Sequence, residues 1–173
     1  MEQISAKEYL SQIALLAKDI IHEAAVRDTE DGAALMITAP SPYGEDRVLT
    51  YCIELEPRGE DMLLFHTVIY CFTDVPEDRF GELAQVINEL DLRLTVGSFI
   101  LFEEGHTVML SHGFLLGTEV GLDLAAQTLL RSIHLMENAA AIAGDYIDRL
   151  LKGECTAEDI RAELAAKEAG ANE

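Results

Sequence analysis

Apolar residues recur at helical spacing near both ends of the chain, and strand alternation fills most of what lies between. In residues 5–26, Leu10, Ile13, Leu16 or Ala17, Ile20 and Ala24 return every three or four positions. Ser5, with Glu8 three residues on, makes a capping-box start for that helix. Where it ends is open, because "IIHEAAV" (20–26) also reads as a strand leading to the turn pair Asp31-Gly32. Three β-like runs follow. "AALMITA" (33–39) precedes the loop "PSPYGED". "RVLTYCIELEP" (47–57) alternates, with Leu49, Tyr51, Ile53 and Leu55 on one face and Thr50, Glu54 and Glu56 on the other. "MLLFHTVIYCF" (62–72) is apolar on both faces: Leu64, Val68, Tyr70 and Phe72 share one, and Leu63, Phe65, Ile69 and Cys71 share the other. That pattern predicts a central strand covered on both sides.

The second half repeats the alternation of helix and strand. Pro76 and the acidic residues after it suit a helix start, and Phe80, Leu83, Ala84, Ile87 and Leu90 form a buried stripe over about 77–92. A hairpin turning at Glu104-Gly105 would set Phe99 opposite Leu110 and Leu101 opposite Val108. Those four side chains would line one face, and Ile100, Phe102 and Met109 the other. Leu122, Ala125, Leu129, Ile133, Met136, Ala140, Ala143, Ile147 and Leu150 then mark a helix over about 120–152, with Gly153 at the position of a C′ glycine. Thr156 with Asp159 opens a last helix to about residue 168, polar enough to lie on the surface or extend as an arm. The order α-βββ-α-ββ-α-α predicts an α+β domain over residues 1–153, with an antiparallel sheet of about five strands and helices packed on it. Residues 154–173 would be a short C-terminal helix and polar tail.

Charge narrows the partners. Thirty-two acidic against 12 basic side chains give a net charge of −20, which repels phosphate backbones and anionic lipid. A basic or apolar protein segment is the more natural partner, and nucleic acid and membrane are not expected. The three cysteines, Cys52, Cys71 and Cys155, form no CxxC pair and argue against a disulfide framework or a zinc site. "MEQISAKEYLSQ" lacks the features of a secretory start, and no apolar run reaches the ~20 residues that span a bilayer. A cytoplasmic location is the expectation.

Candidate chemistry is thin. Ser98 and Ser111 lack the strand-to-helix elbow of a nucleophilic serine. Ser111 and His112 are neighbours in a strand, so they point to opposite faces and cannot act as nucleophile and base. Glu103, Glu104 and His106 gather at a solvated hairpin tip with no fourth metal ligand in view. His66, inside an apolar strand, reads as a satisfied core histidine. No glycine-rich phosphate loop is present. Neither a cofactor, a metal nor an enzymatic activity is expected.

The stretch "VINELDLRLTVGSFILFEEGHTVMLSHGFLL" resembles the YbjN-like family, which is related in fold to the type III secretion chaperones. The resemblance rests on Asn88-Glu89-Leu90-Asp91 at a helix end and Gly97-Ser98-Phe99 at a strand start. It continues through the 98–114 hairpin to Leu151-Lys152-Gly153 after the long helix. Asp91 stands where the family's pattern has a second Asn. The resemblance spans about residues 5–152 and implies a non-enzymatic, bacterial, often dimeric protein, whose relatives act as secretion chaperones or regulators. Ile100, Phe102 and Met109, on the second apolar face, are the expected contact residues for a second copy or a client segment. Whether that face is instead covered from within the chain stays open at this stage.

Overall fold

The computed structural model describes residues 5–16, 23–30, 32–40 and 48–170. Its elements are α1 (Ala6–Leu16), β1 (Glu23–Asp28), β2 (Ala33–Pro40), β3 (Val48–Arg58), β4 (Met62–Phe72), α2 (Phe80–Asp91), β5 (Ser98–Phe102), β6 (Thr107–Gly117), α3 (Leu122–Leu151) and α4 (Ala157–Gly170). A single 3-10 turn, Glu77–Arg79, leads into α2. The strands form one antiparallel sheet in the order β1-β2-β3-β4-β6-β5. This is the expected α+β class with six strands rather than about five.

The extra strand is β1. Ala24, Ala25 and Val26 suit either period, and pairing with β2 (Ala24 with Ile37, Val26 with Leu35) settles them as strand. The segment 17–22 of the helix expectation, together with Asp31 of the turn pair, lies outside the described residues. Gly32 is needed where β1 turns into β2, since a Cβ there would sit 2.1 Å from the Leu55 carbonyl oxygen.

One face of the sheet carries the core. Leu35, Leu49, Tyr51, Ile53, Leu55, Phe65, Ile69, Phe99, Val108 and Leu110 bury themselves against Leu10 and Ile13 of α1 and the apolar stripe of α3. Phe65 stacks on Phe114 at 5.2 Å between ring centres, and Tyr9 of α1 tilts over it at 6.3 Å. Helices α1 and α3 also pack on each other, so they share this layer and do not sandwich the sheet. Strand β4 is central, as its composition predicts. The expectation that it is covered on both faces is not met: Met62, Leu64, His66 and Val68 are only half-buried and Tyr70 is exposed.

Phe72 also departs from simple alternation. The register with β6 shifts between Tyr70 and Phe72, so Phe72 lies opposite Val108 and turns into the core. The hairpin keeps its expected register, Phe99 with Leu110 and Leu101 with Val108. His106 occupies the left-handed region at φ 48°, its N–H donating to the Glu103 carbonyl. Its ring Nδ1 lies 2.9 Å from the Val75 carbonyl, and Val75 N–H donates back to the His106 carbonyl. The hairpin tip is thereby clasped to the approach to α2.

Helix α4 lies against α2, burying Ile160 and Leu164 in the common core. Arg161 meets Glu89 at 3.1 Å and Arg93 meets Glu168 at 2.7 Å along the seam. Its start is a realised cap: Asp159 accepts from both the backbone N–H and the hydroxyl of Thr156.

Candidate functional site

The face of the sheet turned away from the helices is uncovered among the described residues. On it, Tyr70 (37% exposed), Ile100 (43%), Phe102 (46%) and Leu115 (54%) stand out, with half-buried Met62, Leu64, Val68 and Met109 between them. Strand alternation places them together. Tyr70 pairs with Met109, Met109 with Ile100, and Leu64 with Leu115, so the side chains form one field across β4, β6 and β5. Ile100, Phe102 and Met109, named from the sequence, all lie in it. Phe102 rests on Gly105 of the turn, where a Cβ would come within 2.4 Å of its ring.

A polar row crosses the middle of this field. Glu54 of β3 and His66 of β4 are direct cross-strand partners, and the ring Nδ1 lies 3.3 Å from Glu54 Oε2. The other ring nitrogen, Nε2, lies 2.8 Å from Ser111 Oγ of β6. A carboxylate beside Nδ1 favours the tautomer in which Nδ1–H donates to it, which leaves the Nε2 lone pair facing the serine hydroxyl. Ser98 of β5 is directly opposite Ser111 and faces the same side. The expectation that His66 is a core histidine is therefore corrected: it is half-exposed on the open face. Cys52 shares the face, and burial with the nearby Glu54 pushes its thiol above the ordinary range, so it stays protonated.

The separation of Ser111 and His112 follows the alternation. His112 points to the helix side, opposite core Thr67, and burial pulls its imidazole below the ordinary value. Sequence reasoning missed that the partner of Ser111 is His66, 45 residues earlier. Half the signal was within reach. The Arg58–Met62 hairpin register that sets Glu54 opposite His66 is local, but the pairing of β4 with β6 is not. Glu103, Glu104 and His106 hold no metal arrangement, and no cluster of three metal-ligating side chains occurs among the described residues.

Asp91 joins two elements. Its Oδ1 accepts the Phe99 N–H at 2.8 Å, tying the end of α2 to the outer edge of β5. Burial nevertheless raises its carboxyl above the usual carboxylate range.

No family model matches the chain, and no curated protein matches it in sequence. Among solved structures it is similar to YbjN from E. coli, a protein proposed to regulate transcription, at 14% identity and a TM-score of 0.50. The similarity covers 83% of this chain and 96% of that one. At this identity it shows the fold: the chain has a YbjN-like α+β architecture. No helix among the described residues is long and apolar enough to cross a membrane.

Proposed function

We propose that the chain is a non-enzymatic protein-binding module, chaperone-like or regulatory, that works as a homodimer and holds a partner protein segment on the open face of its sheet. One observation carries the reading: the apolar residues Tyr70, Ile100, Phe102 and Leu115 stand exposed on the face of the sheet turned away from the one that carries the core. Exposed apolar residues gathered in this way on a folded domain, here on both sides of one polar row, mark an interaction surface. Pairing along the ladders holds the backbone in place there, so docking orders little that is not already ordered. The YbjN-like fold is consistent with a regulatory or binding role. With a net charge of −20, regulation through protein contact is favoured over contact with nucleic acid.

Phe102→Glu tests the reading. The side chain is about half exposed and packs on a turn glycine, so thermal stability should change little. Purification from the source cells, followed by mass measurement of the assembly, should show loss of the partner or of the dimer relative to the parent. A variant with unchanged assembly mass and unchanged partner capture overturns the reading. Loss of the dimer alone, with no other protein bound to the parent, means that the field serves only self-assembly.

A further inference from the structure

The geometry points to Ser111 as an acyl-acceptor serine, with His66 as its base and Glu54 as the residue that positions the base. This goes beyond docking and does not depend on it. The contacts run in the order of a nucleophile, base and orienter: Ser111 Oγ to His66 Nε2 at 2.8 Å, then His66 Nδ1 to Glu54 Oε2 at 3.3 Å. The three side chains come from three neighbouring strands, so the ladder fixes their separation.

Gly113 supplies the second observation. It lies directly opposite His66 and two residues from Ser111 on the same face, one step along the strands from the Leu64–Leu115 pair. Neither crowding nor backbone conformation demands glycine: a Cβ there would find its nearest neighbour at 3.6 Å, and the residue has no positive φ. Its effect is clearance: β6 carries no side chain there, and the Leu64–Leu115 pair is the next one along. That gap beside leucine favours a short apolar acyl group, presented as an activated ester or thioester.

In the transfer, Ser111 Oγ bonds to the acyl carbon and the bond from that carbon to the leaving oxygen or sulfur breaks. The hydroxyl proton passes to His66 Nε2 and from there to the leaving group. Ser98, directly opposite, offers a hydroxyl to the developing oxyanion. Ser111 lies in the part of β6 that is paired with both β4 and β5, so its own backbone N–H serves the ladder and is not an oxyanion donor. With no such donor at the nucleophile, the proposed chemistry is a slow stoichiometric capture in place of turnover.

The test uses the full chain with an alkyl fluorophosphonate and, separately, p-nitrophenyl butyrate, read by intact mass and peptide mapping. One adduct per chain at Ser111 is expected, absent in Ser111→Ala. His66→Gln should slow labelling by about 100-fold, the low end of general-base assistance. Glu54→Gln, which keeps an acceptor for Nδ1–H, should retain most of the rate that Glu54→Ala loses. Gly113→Val should block the adduct while preserving the fold, which keeps the proposal testable if a histidine variant unfolds. Absence of an adduct at Ser111 overturns the proposal, as does labelling that persists at the parent rate in folded His66→Gln or Gly113→Val protein.

Discussion

Asp91 shows how one side chain joins two elements. The Phe99 N–H it receives lies at the start of the edge strand β5, and without it that donor has no partner named by the fold. Asp91→Ala should therefore destabilise the protein by about 1–2 kcal/mol in urea unfolding. Asp91→Asn keeps the acceptor and removes a charge that burial disfavours. The sign follows from the raised carboxyl. The native state holds its proton more readily than the unfolded chain, so the ionised form is a penalty at neutral pH that is relieved as pH falls through the raised value. Asp91→Asn should thus equal or exceed the parent in stability at pH 7, with any gain closing below about pH 4, where both states are protonated. A loss of stability at pH 7 comparable to that of Asp91→Ala contradicts this account. At the same scale, Ser111 could be placed on a strand and parted from His112 by alternation alone. Its contact with His66 could not be read, because it depends on which strands become neighbours.

At the level of elements, the period of the apolar residues was enough for five strands and the helices. It failed where two periods fit equally, as at Ala24–Val26, and where the chain inserts an extra residue, as at Phe72. Helix ends were legible because their chemistry is local. The long helix α3 stops at Gly153, which adopts φ 72° while Glu154 N–H returns to the Arg149 carbonyl. A side chain at Gly153 faces left-handed strain, and its Cβ would meet an Arg79 nitrogen at 3.2 Å. Gly153→Ala should consequently lower stability by about 1 kcal/mol, seen as a reduced denaturant midpoint at unchanged slope. An unchanged midpoint means that α3 does not depend on this cap. The ion pairs that run from α4 to α2 and α3 are partly exposed to solvent and add little individually. The burial of Ile160 and Leu164 does more to hold α4 in place.

For the whole molecule, both the second apolar face and its openness bear on function, and the sequence delivered only the first. Ile100, Phe102 and Met109 were visible as a face from alternation. That no helix among the described residues covers it goes with α1 and α3 packing side by side on the other face, a tertiary choice with no local signature. Net charge then separates the possible occupants by the sign of the salt response. Two copies, each at −20, repel, so self-association should strengthen as ionic strength rises from about 0.02 to 0.15 M, whereas a basic segment should bind more weakly over that range. Light scattering and titration of the purified components across that range distinguish the two. The central claim is that this face, and not the exposed stripe of Leu124, Leu135 and Ile142 on α3, is where the protein is occupied. Hydroxyl-radical footprinting of the assembly isolated from its own cells, compared with the dilute single chain, tests it most directly. Protection of Tyr70, Phe102, Met109 and Leu115 with α3 unchanged is the predicted result; equal labelling of the sheet face in both samples, or protection confined to α3, contradicts it.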